Sequence, residues 1–268
     1  MIDFPHAKLN LGLYVVSKRP DGFHDLQTFF YPLPLYDILE IVPSAKTSLV
    51  TTGLQIPDGN TNNLVLRAYQ LLKEKFSQVE PLEIHLHKSI PAGAGLGGGS
   101  SDAAKMLQLV NAFFNLNISA EKLAGFALEL GSDCPFFMQN EPCFATGRGE
   151  ILEPAALDLS SYSFLLIHPG IHINTSLAFS GISPAPPAHH LKESVRAPVT
   201  DWKKILSNVF EIPAFRAHPV LRQIKEKLYL EGALYASMTG SGSTIYGIFP
   251  KGGLPKHKLD LGQETVIP

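Results

Sequence analysis

The chain has 268 residues, 45% of them hydrophobic, with 22 Lys and Arg against 24 Asp and Glu and a net charge of −2. That length suits one large domain or two small ones, and the balance of charge lacks the basic excess of a nucleic-acid binder. No apolar run is long enough for a bilayer, residues 1–6 lack a basic stretch followed by an apolar one, and Cys134 and Cys143 make neither a metal pattern nor a disulfide framework. A cytoplasmic protein with reduced thiols and no membrane or nucleic-acid partner is expected.

In chain order, residues 7–16 alternate. Leu9, Leu11, Leu13 and Val15 point one way, and Lys8, Asn10, Gly12 and Tyr14 the other, so a strand is expected. Gly12 leaves room on its polar face for something to approach. Asp21-Gly22 is a turn signal, and strands are expected at 26–31 and 38–42. Asn62 or Asn63 can cap a helix that turns Leu64, Ala68, Leu71 and Leu72 inward. Residues 82–88 alternate again, as a strand covered on one face does.

Residues 91–104 follow, with five glycines between Gly93 and Gly99. The helix after them shows an apolar stripe at Ala103, Met106, Leu107, Val110, Phe113 and Phe114, with Ser100 or Ser101 as N-cap. Residues 119–130 make another helix, ended by Gly131, and Asp133 caps the next with Pro135 in its first turn. Phe144, Thr146 and Gly147-Arg148-Gly149 read as strand and turn. The pattern breaks between 153 and 160, which puts a domain boundary between 154 and 155, giving domains 1–154 and 155–268. Beyond it come a buried strand at 163–167, a Pro- and Ala-rich loop at 182–199, and helices at 202–209 and 219–230. A second glycine turn, Thr239-Gly240-Ser241-Gly242-Ser243, precedes a strand at 244–249.

The first glycine loop carries the strongest chemical signal. Without Cβ atoms the backbone can bend sharply and approach a ligand, and the helix start presents unpaired N–H groups to an anion such as a phosphate. A plain tight turn is the competing reading. Gly93 to Gly98 also fits G-x-G-x-x-G, a weak dinucleotide signal. The preceding strand argues against it, because the first strand of a dinucleotide fold is buried on both faces. No Walker-type G-x-x-x-x-G-K-[ST] is present.

Four further groups could do chemistry. Lys8 and Asn10 either face water or serve a site, where a lysine can stabilise a transferring phosphoryl group. Asp133 is a cap, a base, or both. His24 can hydrogen-bond a planar ligand while Phe23 stacks on it. The amides of the Gly240–Ser243 turn can help bind an anion.

Taken together, Pro5-His6-Ala7-Lys8-Leu9-Asn10-Leu11, the glycine loop and Thr239-Gly240-Ser241-Gly242-Ser243 resemble, in order, the three motifs of the galactokinase, homoserine kinase, mevalonate kinase and phosphomevalonate kinase (GHMP kinase) superfamily. Pairing the first motif with Arg19-Pro20-Asp21-Gly22-Phe23-His24 resembles the branch that acts on a cytidylated methylerythritol. The resemblance implies a two-domain α+β fold, with an N-terminal domain like domain 2 of ribosomal protein S5 and a ferredoxin-like C-terminal domain. It also implies a small-molecule kinase using ATP and Mg2+, working as a monomer or weak homodimer.

By the same resemblance Asp133 is the general base and Lys8 its charge partner. Asn10 and His24 hold the cytidine end, Phe23 and Phe179 sandwich the base, and Gly240 and Ser241 complete the substrate set. The ATP set is Asn63, Lys88, Pro91, Gly93, Gly95, Leu96, Gly97, Gly98, Gly99, Ser100 and Ser101; the metal ligands are left open. A sister kinase for homoserine or mevalonate, a dinucleotide-binding oxidoreductase and a non-enzymatic nucleotide sensor are the rivals. The C-terminus looks brief for the family.

Overall fold

A computed structural model describes residues 1–56 and 62–267. Along the chain run β1 (Ile2–Asp3), β2 (His6–Lys18), β3 (His24–Tyr36), β4 (Ile38–Pro43), β5 (Ser48–Gly53), α1 (Leu64–Lys75), β6 (Leu82–Lys88), α2 (Gly98–Phe113), α3 (Ala120–Leu130) and α4 (Phe136–Gln139). Then come β7 (Cys143–Thr146), β8 (Ile151–Pro154), β9 (Tyr162–His168), α5 (Thr175–Ser180), α6 (Leu191–Arg196), α7 (Val199–Ile205), α8 (Glu211–Ala217), α9 (Pro219–Leu230), β10 (Tyr235–Met238), β11 (Ile245–Pro250) and β12 (Gln263–Ile267). The chain divides into two compact units, each discontinuous in sequence. The first comprises Met1–Lys8, Pro32–Ala92 and Gly97–Asn140; the second comprises Leu9–Tyr31, Gly93–Leu96 and Glu141–Pro268. Residues 154 and 155 therefore lie together in the second unit.

In the first unit a sheet of order β1-β4-β6-β5 pairs β4 antiparallel and β5 parallel to β6. The alternation read in 82–88 is present: Leu82, Ile84 and Leu86 are buried, while Glu83, His85 and His87 are not. Their buried face packs with Leu39 and Ile41 against Val65, Ala68 and Leu72 of α1 and Met106, Leu107 and Val110 of α2. Each buried Val, Leu, Ile or Met among them contributes about 1.5–3 kcal/mol of transfer free energy. Asn63 caps α1, its Oδ1 accepting from the Val65 amide (2.9 Å), and Ser119 caps α3, which ends at Gly131.

The second unit holds an antiparallel sheet of order β10-β11-β9-β12. Leu165 and Ile167 of β9 and Ile245 and Phe249 of β11 share a core with Leu221, Ile224 and Leu228 of α9. With β9 as first strand and β12 as last, the order is the 4-1-3-2 of a ferredoxin-like sandwich. Residues 251–262, where such a fold places its second helix, form turns instead. A third sheet has the order β2-β3-β7-β8.

Several expectations are corrected. Strand β2 is covered on both faces: Lys8 and Asn10 are 3% exposed, and the space beside Gly12 is filled by Leu191 and Leu206 rather than left for a ligand. Helix α2 starts at Gly98, ahead of both serines, and its N-cap is Gly97 in the left-handed region (φ 73°) with no side-chain cap. The stretch 182–199 is not one loop, since α6 lies inside it, and α8, β5, β8 and β12 went unread. Glycine content and alternation do not reveal such short elements, whose stability comes from tertiary packing.

Candidate functional site

In the first unit Lys8 and Asp133 come together. The Lys8 ammonium lies 3.5 Å from Asp133 Oδ2; the lysine side chain is buried, whereas the aspartate side chain is 36% exposed. Burial pushes the Lys8 pKa down, and the adjacent Asp133 carboxylate pulls it back up. The expected capping role of Asp133 is not seen. Helix α4 begins at Phe136 with Pro135 at the N-cap position and no side-chain cap, and it is the Asp133 carbonyl that accepts from the Phe136 amide (3.2 Å). The carboxylate is turned to Lys8 instead. An ammonium fixed in the interior beside a carboxylate that reaches solvent suits proton abstraction from a hydroxyl, with the lysine stabilising the charge that develops.

The start of α2 lies beside this pair. A Cβ on Gly97 would stand 2.6 Å from Phe137 Cζ and 3.1 Å from Lys8 Cγ, so glycine is needed here for packing as well as for its positive φ. The first helical bond of α2 runs from the Ser101 amide to the Gly97 carbonyl (2.9 Å), which leaves the amides of Gly98, Gly99 and Ser100 without helical acceptors. Gly99 is exposed, with Leu64 at 3.6 Å as the nearest atom to a Cβ placed there. Ser101 is fully buried and its Oγ has no hydrogen-bond partner. Pro91 is buried ahead of the loop.

Two residues of the expected ATP set have structural partners. Asn63 caps α1, and the Lys88 ammonium is enclosed by Asp37 and Asp102. No pattern in the sequence singled out Asp37 or Asp102 as a partner of Lys88.

In the second unit, loop residues Gly93 to Leu96 pack on the second glycine turn. The Thr239 hydroxyl accepts from the Asn10 amide (3.1 Å) and donates to the Gly95 carbonyl (3.1 Å); a Cβ on Gly95 would collide with the Thr239 carbonyl at 2.1 Å. A Cβ on Gly93 would meet His172 Nδ1 at 3.1 Å, and Leu96 is buried. The Asn10 side-chain amide donates to Thr28 Oγ1 (2.9 Å), and the Tyr246 hydroxyl donates to the Asn10 carbonyl (2.9 Å). Asn208 fixes the turn, its Nδ2 donating to the carbonyls of Met238 (2.7 Å) and Gly240 (2.8 Å). Ser241 Oγ lies 3.3 Å from Thr175 Oγ1. Thr28, Asn208 and Tyr246 went unnoticed because a lone polar residue in an apolar segment has no spacing to mark it.

The aromatic group is also in the second unit. His24 stacks on Phe179 with ring centroids 4.9 Å apart and planes 18° from parallel, and Phe179 meets Phe210 edge-on (4.8 Å, 88°). Phe23 is 50% exposed and has the Arg148 guanidinium over its ring at 4.5 Å. Here it is His24, rather than Phe23, that lies face to face with Phe179. Both cysteines are free and buried, which pushes their thiols up to about 12 and leaves them unreactive.

Residues 63–141 match the GHMP kinases N terminal domain and residues 193–259 the GHMP kinases C terminal. The chain belongs to the GHMP kinase family, and its α+β fold of two domains is that family's. It is 51% identical to the 4-diphosphocytidyl-2-C-methyl-D-erythritol kinase of Parabacteroides distasonis over 94% of this chain and 92% of that protein. It is also 51% identical to the enzyme of the same name from Bacteroides thetaiotaomicron, over 96% and 95%. A crystal structure of 4-(cytidine 5'-diphospho)-2C-methyl-D-erythritol kinase superposes with a TM-score of 0.82 at 32% identity, covering 100% of this chain and 98% of the other. Methanococcus jannaschii mevalonate kinase shares the fold at a TM-score of 0.69 and 13% identity.

Proposed function

We propose that this protein transfers the γ-phosphoryl group of ATP to the tertiary 2-hydroxyl of 4-diphosphocytidyl-2-C-methyl-D-erythritol, on the cytoplasmic route to isoprenoid precursors that bypasses mevalonate. The observation that carries the chemistry is the Lys8–Asp133 pair at 3.5 Å beside the start of α2. High identity to relatives bearing that enzyme's name supports the choice of acceptor.

In this reading the phosphates of ATP dock on the Gly98, Gly99 and Ser100 amides. Asp133 accepts the hydroxyl proton, the hydroxyl oxygen forms its bond to the γ-phosphorus, and ADP leaves. Lys8 stabilises the oxygen as its charge grows. A tertiary alcohol is a crowded, weak nucleophile, so positioning and electrostatics carry most of the catalysis. Among the described residues no group of three or more His, Cys, Asp or Glu could hold a metal ion. Mg2+ would enter with ATP, as part of the MgATP substrate, and would supply neutralisation of phosphate charge.

The second unit binds the cytidine. His24, stacked on Phe179, offers ring nitrogens to the base edge, and Phe23, backed by Arg148, offers an aromatic face. A lost hydrogen bond in a pocket costs roughly 1–3 kcal/mol. His24→Ala should thus weaken CDP binding at least about tenfold, since about 1.4 kcal/mol is a decade, and leave ATP affinity nearly unchanged. Paired titration of both ligands on wild type and variant decides it. Unchanged CDP affinity would remove the base-recognition role of His24, and equal losses for the two ligands would reveal a general disturbance of the fold.

A further inference from the structure

Beneath the start of α2, the first unit buries three charges that the transfer chemistry does not use. Lys88, at the end of β6, is 3% exposed, and its ammonium donates to Asp37 Oδ2 and to Asp102 Oδ2, the latter at 2.8 Å. Asp37 is fully buried, and its Oδ1 accepts from the amides of Ser89 (2.6 Å) and Ile90 (2.9 Å), which lead into the loop. Asp102 lies in α2, one turn beyond Gly98. A Cβ on Gly98 would be 3.2 Å from Lys88 Nζ, so the cluster sits directly under the first turn of that helix.

Two carboxyls face one ammonium, each in direct contact with it. With both acids ionised, a net negative charge would lie beneath the helix start, where the phosphates of the donor are read to dock. Asp102 Oδ1 is buried and no donor points at it. That suits a carboxylic acid better than a carboxylate, whose second oxygen would go unsatisfied. Burial drives the Asp102 carboxyl up to about 7, opposed by Lys88 and reinforced by the charge and hydrogen-bond contact of Asp37. Other charged groups on the surrounding elements have their own partners or face outward. Lys105 of α2 pairs with Asp3 of β1 (3.5 Å), His87 of β6 bonds Thr52 (2.9 Å), Glu40 of β4 is exposed, and Arg67 of α1 bears on Cys134.

We propose that the Asp37–Lys88–Asp102 cluster takes up a proton when polyphosphate binds at the start of α2, Asp102 being the group that holds it, so that nucleotide binding is proton-linked through a positioning residue. The inference rests on the reading that ATP docks there. Phosphate charge one turn away makes an ionised Asp102 costlier, and the proton removes that cost. The same cluster ties the chain entering the loop, through Asp37, to the helix leaving it, through Lys88 and Asp102.

The test is calorimetric titration of MgATP at pH 8 in two buffers of different ionisation enthalpy, on wild type and on the isosteric, neutral Asp102→Asn. Wild type should take up more protons per ATP than the variant, by up to about one. Between pH 7 and 9 its affinity should fall more steeply, by at most about tenfold per pH unit, the limit for one linked proton. The variant's own profile cancels the ionisation of ATP itself. Equal proton uptake with parallel pH profiles would overturn the proposal while leaving ATP binding intact. A wild type that binds no ATP at any pH would remove the reading beneath it, and the proposal with it. Should Asp102→Asn not fold, the infrared difference spectrum of wild type at pH 8 decides alone: MgATP should raise a protonated-carboxyl band, and no such gain overturns the proposal.

Discussion

Lys8 and Asp133 lie far apart in the chain and meet because the first residues of β2, up to Lys8, and the turn after α3 belong to one compact unit. The sequence marked Lys8 as a polar residue on an otherwise apolar strand and Asp133 as a helix cap, and only the resemblance to the GHMP kinases joined them. If Asp133 takes the hydroxyl proton, Asp133→Asn should keep ATP affinity and lose about a hundred- to ten-thousand-fold in kcat. A variant within about threefold of wild type in single-turnover kinetics would take the residue out of that role. Asp102 makes a different demand, on stability. The native protein holds its proton up to about 7, whereas an unfolded aspartate releases it near about 3.9. The native state binds the extra proton between those values, so this contribution is fully present below the unfolded pKa and is lost as pH rises through the native one. Denaturant unfolding from pH 4 to 8 should therefore show a decline in wild type that Asp102→Asn lacks. Identical slopes in the two proteins would contradict the assignment.

At the scale of elements, the glycines of residues 93–99 divide by what surrounds them. Gly97 has a positive φ and is hemmed in by Phe137 and Lys8, whereas Gly99 is helical and open. Gly97→Ala should lose roughly 1–3 kcal/mol of stability through backbone strain and crowding, and kcat should fall with it as the lysine stem shifts. Gly99→Ala should leave stability level or raise it by up to about 1 kcal/mol, as alanine does in a helix, yet raise the KM for ATP. Thermal melts and steady-state kinetics on the pair check this; a Gly99→Ala enzyme with unchanged KM would make the open start of α2 irrelevant to the donor. The residues dictated much at this level. The alternation in β6, the stripe of α2, the caps Asn63 and Ser119 and the stop at Gly131 were all legible, because local propensity and burial agree there. The start of α2 was misread because serines are better caps than glycine in general, and here the packing of Gly97 outweighs that preference. Short helices such as α6 and α8, and strands β5 and β12, are held by neighbours that no local window contains.

At the scale of the molecule, the two units exchange chain repeatedly, so a single cut in the sequence cannot describe them. A break in hydrophobic pattern near residue 155 was visible, but pairing of β2 and β3 with β7 and β8 was not. The second unit keeps a ferredoxin-like strand order although residues 251–262 lack a helix. The most direct measurement on the whole protein is ADP release from MgATP with 4-diphosphocytidyl-2-C-methyl-D-erythritol, run beside homoserine and mevalonate, with phosphorus NMR of the product. The expected result is turnover with the cytidylated alcohol alone and a new phosphate monoester on its tertiary carbon. Turnover with homoserine or mevalonate instead, or a phosphate placed on another hydroxyl, would contradict the account.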